Sequence, residues 1–188
     1  MNRRYWAIFA IACGISLSLS GPMNSTPALQ GAKSQRDDKM AANLIREVRH
    51  QLVMLPYYSV FDNLTYSIEG DNLTLSGQVT RPTLKSDAES AVKSIEGVGR
   101  VVNNIEVLPL SPMDDDIRRA VYRAVYGDSS LQRYALQAVP SIHIIVKNGN
   151  VMLEGVADTE ADKNLANLRA NGVPNVFSVK NNLVVASK

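Results

Sequence analysis

The chain has 188 residues, of which 45% are hydrophobic and 20% are charged. This balance is sufficient to bury a core, so bulk disorder is excluded. The length leaves room for one ordinary domain or two small ones. A formal net charge of only +2 disfavours a general nucleic-acid-binding protein, and no nucleic-acid partner is predicted.

Residues 1–28 have the pattern of a secretory signal peptide. Arg3 and Arg4 form a basic end, an apolar run extends from Tyr5 to Leu19, and small and turn-forming residues follow it. Cleavage is predicted between Ser20 and Ala28. An uncleaved membrane anchor is the alternative, but the apolar run is shorter than the roughly 20 residues that span a bilayer.

Cys13 is the only cysteine and lies inside this segment. A lipoprotein signal needs cysteine directly after the apolar run, whereas Ile15, Leu17 and Leu19 continue the run here. Lipidation is therefore the less favoured alternative. After cleavage the chain has no thiol, which excludes disulfides, cysteine zinc sites and thiol catalysis.

An internal repeat is the most informative feature of the remaining chain. Residues 73–79 match residues 151–157, and their glycines, Gly77 and Gly155, lie 155 − 77 = 78 positions apart. The Asn-Asn block at 103–107 matches 181–185 at the same offset. Gly97-Val98 is taken to correspond to Gly172-Val173, with a small length difference in the preceding helix. The blocks predict two copies of one module, at 40–110 and 114–186, preceded by a flexible tether at 29–39 that contains serine, glutamine and mixed charges.

The periodicity of each copy predicts the order helix, strand, strand, helix, strand. In the first copy Leu44, Val48 and Leu52 recur at helical spacing, and Asp71-Asn72 marks a turn between two alternating strands. Gly97 is predicted to cap the second helix. In the second copy the corresponding apolar positions are Ile117, Val121 and Ala124 on the first helix, Asn148-Gly149 at the turn, and Ala161, Leu165 and Leu168 on the second helix.

The predicted fold class is α+β, with two αββαβ modules. A helix between two strands of one sheet implies a right-handed crossover, so each three-stranded sheet is expected to be mixed, with both helices on one face. The other face is left for solvent, the sister module or a ligand. The linker Pro109–Pro112 is short enough that packing between the modules is expected.

The repeated blocks resemble the BON domain (bacterial OsmY and nodulation). The match rests on the pattern apolar-x-Leu-x-Gly, a helix, Gly-Val and an Asn-Asn strand, and the predicted fold-determining residues are Gly77, Gly97, Asn104, Gly155, Gly172 and Asn182. The resemblance implies a periplasmic location, binding of phospholipid surfaces, and a role in envelope integrity or osmotic-stress protection.

The first helix of the second copy carries the candidate lipid-binding residues. If its apolar positions face the core, Arg119, Tyr122, Arg123 and Tyr126 project from the opposite side with Arg118 beside them. Arginine pairs with phosphate in a fork, and tyrosine places an amphipathic ring at the membrane interface. The alternative is a solvated face. A second aromatic cluster, Tyr57–Phe61, is a candidate for membrane or module contact, although core packing is favoured there.

No catalytic constellation is predicted. His50 and His143 occupy non-equivalent positions, and alternation places His143 on the outer face of its sheet. Asp114–Asp116 is interpreted as capping the free amides of a helix N-terminus and complementing its dipole, rather than binding metal. We therefore expect no enzyme activity, no cofactor, no metal and no small-molecule substrate. The alternative to a lipid-binding protein is an envelope adaptor that docks a protein partner through exposed sheet faces.

Overall fold

The structure, a computed structural model, describes residues 28–137 and 139–186, with side chains from residue 39 onward. The segment 1–27, with Cys13 and most of the expected signal peptide, lies outside the described residues, so the signal peptide stays a prediction. Contacts divide the chain at Asp37–Asp38, and the unit Asp38–Lys188 contains both modules.

The first helix, α1, extends from Ala28 to Val53. It includes residues 29–39, so the prediction of a flexible tether there is wrong. The reason is helix propensity: alanine, leucine, glutamine, lysine and arginine dominate this stretch, and no proline follows Pro27 until after the helix ends. Val48 and Leu52 are buried as their spacing predicts.

The first module has a mixed sheet with its second strand in the middle. That strand pairs antiparallel with the first and parallel with the last, which is broken into two short pieces at Asn104–Ile105. The α+β class and the mixed sheet are therefore confirmed. The elements that follow α1 are β1 (Asn63–Glu69), β2 (Asn72–Val79), α2 (Pro82–Lys93), β3 (Arg100–Asn103) and β4 (Glu106–Val107).

The second module repeats this topology. From the first strand onward the copies keep one offset of 78 positions, whereas Leu44 and Ile117 on the first helices are 117 − 44 = 73 apart. The helix-to-strand connection is therefore five residues longer in the second copy, and it contains a short helix. The elements are α3 (Pro112–Tyr126), α4 (Gln132–Ala135), β5 (Ile142–Lys147), β6 (Asn150–Ala157), α5 (Glu160–Asn171), β7 (Ser178–Asn181) and β8 (Val184–Val185).

The constant offset corrects two predictions about glycine. Helix α2 is capped by Ser94, so Gly97 is not its C-cap. The counterpart of Ser94 is Gly172, which caps α5 at a φ of −78°. Gly97 corresponds instead to Asn175, and both have left-handed backbone, with φ of +94° and +66°. Both modules therefore need a positive φ at this position of the turn, and asparagine, like glycine, tolerates a positive φ in such turns.

Gly77 and Gly155 sit where the middle strand passes closest to its antiparallel neighbour. Their φ angles are +115° and +107°. A Cβ on either would collide with a backbone carbonyl oxygen, that of Asn63 or of Ser141. Both a backbone conformation and a close approach therefore require glycine at these two positions.

The first asparagine of each Asn-Asn pair joins the broken last strand to the second helix. The side-chain oxygen of Asn103 and Asn181 accepts from the N–H two residues later, at 3.1 and 3.2 Å. The side-chain nitrogen of each donates to a helix carbonyl at 2.9 Å. The predicted motif residues, Asn104 and Asn182, instead donate their backbone N–H to the middle strand, at 2.9 Å in both modules.

Helix α5 buries a different stripe from the one predicted. Its buried positions are Asp162, Ala166 and Ala170, whereas Leu168 is exposed. Asp162 occupies the place that a leucine has in α2, and its carboxylate accepts from the Thr159 hydroxyl and the Tyr134 hydroxyl, at 2.6 and 3.0 Å. A buried carboxylate is tolerated because these donors satisfy it and the Arg133 guanidinium pairs with it at 2.5 Å.

The two modules pack through residues 57–62, which we call the bridging segment. Val60 is buried in the core of the second module, and Phe61 packs against the same core. The Ile144 N–H donates to the Val60 carbonyl at 2.8 Å, so the segment lies along the edge of β5. Covering an edge strand removes a template for unwanted pairing. The Tyr57–Phe61 cluster is thus partly an intermodule contact.

Asp62 holds the bridging segment to the first module. Its carboxylate is buried and accepts four hydrogen bonds. Two come from the N–H and hydroxyl of Ser59, at 3.0 and 2.6 Å, and two from the N–H and hydroxyl of Thr80, at 2.7 and 2.8 Å. The segment is therefore anchored to the loop after β2 while it covers β5.

Candidate functional site

Helix α3 begins with a serine cap and an internal carboxylate. The Ser111 hydroxyl accepts from the Asp114 N–H at 3.2 Å, so the cap is this serine and the prediction that the aspartates cap the helix is wrong. The Asp114 carboxylate instead accepts from the N–H groups of Asn148 and Gly149, at 2.9 and 2.8 Å. It therefore holds the β5–β6 turn. Among residues 39–137 and 139–186 no group of three metal-ligating side chains is present.

Two of the five predicted lipid-binding residues are in the interior, which corrects the prediction that they project outward. Arg118 is 5% exposed, and its guanidinium donates to Asp115 at 2.5 Å and to the Val146 carbonyl at 2.7 Å. Tyr126 is 4% exposed, and its hydroxyl donates to the Ile142 carbonyl. Burial raises the pKa of Tyr126. Arg118 lies on one buried stripe with Asp114, Val121 and Val125, at spacings of three and four residues. The prediction centred the stripe on Ile117, Val121 and Ala124 instead. Tyr126 flanks the buried stripe, where α3 packs against β5.

The other three candidates remain accessible, and we call Arg119, Tyr122 and Arg123 the α3 surface. Arg119 forms an ion pair with Asp116 at 2.5 Å, in which both side chains are exposed. Such a pair stabilises little and leaves the guanidinium available to another anion. The Tyr122 ring lies 6.1 Å from the Phe61 ring, with an edge-to-face orientation that holds it in place.

A groove of about 820 Å³ lies between the modules, on the side of β1. One wall consists of the end of α1 and part of β1, and the other of the outer sheet face of the second module with the loop before β5. Sequence reasoning missed this groove because its walls come from different copies. The residues that line it include Arg46, Arg49, His50, Val53, Met54, Tyr58, Leu64, Tyr66, Val139, Pro140, His143, Glu154, Val156, Asn182 and Val184.

The α1 wall changes from basic to apolar along the helix. Arg46, Arg49, His50, Val53 and Met54 have the spacing of one helix face. The three residues nearer the helix start are the basic ones, and the two at its end are apolar. The spacing is visible in the sequence, but it does not reveal what faces the stripe.

His143 lies on the opposite wall. It is on the outer sheet face, as alternation predicts, but it is buried because the bridging segment covers it. Its ring is 5.7 Å from the Tyr58 ring, and its Nδ1 has no hydrogen-bond partner among the described residues. Burial lowers the pKa of His143, although nearby groups including the Asp62 and Glu154 carboxylates oppose this effect.

Glu154 is the acidic residue of this wall. It faces His143 across the β5–β6 pair, and it accepts a hydrogen bond from the Asn182 side chain at 2.6 Å. Beside it the wall becomes apolar at Val156 and Val184, which are 44% and 64% exposed. The α1 wall has a similar exposed apolar end. The groove is therefore an uncovered apolar surface with charged groups at its margins.

The fold defines a tandem α+β protein built from two copies of one module. The BON domain family matches residues 40–109 and 114–187, so the chain belongs to the BON domain family. The predicted resemblance is confirmed. BON is a binding-type, non-catalytic domain family associated with the bacterial envelope and with phospholipids.

No curated protein matches the chain. One similar solved structure is CdsD, a structural protein of the type III secretion system of Chlamydia trachomatis, with 14% identity, a TM-score of 0.30, and coverage of 77% of this chain and 92% of that one. The C-terminal domain of CdsD has 14% identity and a TM-score of 0.28, with coverage of 77% and 98%. No helix in the described part of the chain has the length and hydropathy of a membrane span.

Proposed function

We propose that this protein binds anionic phospholipid surfaces of the cell envelope through the α3 surface. The observation that carries the proposal is the exposure of Arg119 and Arg123 on one face of α3, with Tyr122 between them. The membership of the BON family supports a phospholipid ligand.

The chemistry of the α3 surface suits an anionic headgroup. A guanidinium offers two parallel donors to a phosphate, and the exposed Arg119–Asp116 pair is weak enough to be replaced. Arg123 has no carboxylate partner among the residues whose side chains are described. The Tyr122 ring, 37% exposed, supplies an amphipathic group at the depth of the headgroups.

Co-sedimentation with vesicles tests the proposal. Phosphatidylglycerol vesicles are expected to retain the protein, phosphatidylcholine vesicles to retain far less, and the double variant Arg119→Glu/Arg123→Glu to lose the difference. Arg100→Glu/Lys180→Glu is the matched control, because it changes the net charge equally at two exposed strand positions. Equal loss in both double variants would assign binding to overall charge, and retention of wild-type binding by the α3 variant would refute the proposed surface.

The proposed location is the periplasm, after export and cleavage between Ser20 and Ala28. The basic and apolar pattern of residues 1–28 supports it. N-terminal sequencing of the protein from an envelope fraction tests it. A chain that begins at Met1, or one lipidated at Cys13, would contradict the proposal. A role in envelope integrity predicts that loss of the protein sensitises cells to osmotic shock.

Docking of a protein partner through the sheet faces is the less favoured function. In the second module His143 and Ile145, which share the outer face of β5, are both buried. That part of the outer face is therefore already covered within the chain. Affinity capture of a stoichiometric partner from envelope extracts, together with failure of both vesicle types to retain the protein, would reverse this preference.

A further inference from the structure

We propose that the intermodule groove binds one fatty acid, with its carboxylate at Arg46 and Arg49 and its chain along the apolar ends of both walls. This site goes beyond the proposed function, because the ligand is a single molecule held between the modules and no part of the α3 surface lines the groove.

The dimensions of the groove favour a single small ligand. Its volume of about 820 Å³ is within the range of pockets that enclose one small molecule. Because the groove is concave and lies between two modules, its walls cannot both contact the flat surface of a bilayer. The ligand is therefore expected to be a monomer taken up from solution or from a membrane.

The apolar ends of the two walls supply the surface for an acyl chain. Val53 and Met54 are 38% and 66% exposed at the end of α1, and Val156 and Val184 are exposed on the other wall. Four exposed apolar side chains around one groove form a patch, in contrast to the isolated exposed apolar residues that are common on protein surfaces. An acyl chain would cover side chains on both walls at once.

The charges at the margin select the headgroup. Arg49 lies about one turn and Arg46 about two turns before the apolar end of α1, and neither forms an ion pair with a described carboxylate. The Arg46 guanidinium donates only to the neutral Asn43 side chain, at 2.8 Å. On the opposite wall the Glu154 carboxylate is held by Asn182. The helix margin is thus basic, and a carboxylate is the small anion that an arginine binds with two parallel hydrogen bonds.

The order of these groups along α1 determines the orientation of the ligand. From Arg46 to Met54 the helix rises about 12 Å, at about 1.5 Å per residue. One ligand with an anionic head and an acyl chain can therefore reach the basic groups with its head and the apolar groups with its chain. A ligand with charge at both ends would not match this arrangement.

Calorimetric titration with dodecanoate, below its critical micelle concentration, tests the site. The full chain is expected to bind one dodecanoate per molecule, and Arg46→Glu/Arg49→Glu to weaken binding by about tenfold, equivalent to about 1.4 kcal/mol. Octanoate is expected to bind more weakly than dodecanoate by at least about tenfold, since four methylenes leave the apolar walls. Arg119→Glu/Arg123→Glu is the matched control and is expected to leave the affinity unchanged.

A second variant tests the apolar wall. Val156→Glu places a carboxylate on that wall at an exposed position, so the fold is expected to persist, as circular dichroism would verify. It is expected to abolish dodecanoate binding. Absence of saturable binding in the wild type, or equal affinity for dodecanoate and dodecanol, would overturn the proposal, as would unchanged affinity in either groove variant. These outcomes are separate from vesicle retention, which reports on the α3 surface.

Discussion

The Ile144 N–H of the second module donates to the Val60 carbonyl of the first at 2.8 Å, and the Val60 side chain enters the core beside Ile144. One residue of the first module thus supplies both an edge-strand hydrogen bond and a core contact to the second. The two modules are therefore joined by this contact as well as by their short covalent linker.

Val60→Ala is expected to lower the free energy of unfolding by about 2 kcal/mol, because a buried side chain is truncated and leaves a cavity. Urea denaturation measures the effect. Leu136→Ala is the control, since Leu136 is largely exposed and should change stability by less than about 0.5 kcal/mol. Similar effects in both variants would contradict the role of Val60.

Gly77→Ala and Gly155→Ala are each expected to destabilise the protein by more than about 3 kcal/mol. Each adds a Cβ that collides with a backbone carbonyl, on top of the cost of a positive φ. Gly70→Ala is the comparison, because Gly70 has a φ of +64° with open space around its missing Cβ. That variant should cost only about 1 kcal/mol in the same thermal or urea unfolding experiment. Equal costs at all three positions would show that φ alone matters.

The two asparagines of the first pair, Asn103 and Asn104, are expected to respond differently to alanine. Asn103→Ala removes side-chain hydrogen bonds to the Ile105 N–H, the Lys85 carbonyl and Glu89, and should cost about 1 to 3 kcal/mol. Asn104→Ala retains the backbone hydrogen bond to β2 and should change stability by less than about 0.5 kcal/mol. Urea unfolding of the two variants in parallel measures both losses of stability. A larger loss in Asn104→Ala than in Asn103→Ala would refute the prediction.

Stability is expected to fall as the pH drops below about 6.5. Burial lowers the pKa of His143 in the folded chain, so below the ordinary histidine value of 6.5 the unfolded chain binds the proton more readily than the folded one. Above that pH both states are neutral at this residue and it contributes no dependence. The carboxyls of Asp128 and Asp162 have lowered pKa values and stay ionised in this window.

Urea unfolding at pH 7.5 and 5.5 measures this dependence. The variant His143→Gln is expected to reduce the difference between the two pH values, because it removes the buried titrating group. His50→Gln is the matched control, since His50 is exposed. A wild-type stability that is the same at both pH values, or a difference that His143→Gln leaves intact, would contradict the role of His143.

Local pattern predicted the fold, and contacts between distant segments determined the candidate sites. Strand alternation and the 78-position offset were sufficient for the αββαβ order and the mixed sheets, because both depend on short-range periodicity. The positions of Arg118 and Tyr126 were wrong because the prediction centred the buried stripe on Ile117, Val121 and Ala124, whereas the stripe in α3 passes through Val121 and Val125 and includes Arg118. The sequence did not reveal the groove, because Arg46 and Val156 are over a hundred residues apart. Only the packing of the two modules brings the walls that carry them together.

The bridging segment makes each module depend on the presence of the other. A second module expressed alone from Ser111 would have no cover for the edge of β5 and no Val60 in its core, and exposed strand edges promote association. In the first module alone, the bridging segment would keep its hydrogen bonds through Asp62 but would lose its contacts with β5. Loss of either copy is therefore expected to impair the one that remains, so the two modules depend on each other although they repeat one pattern.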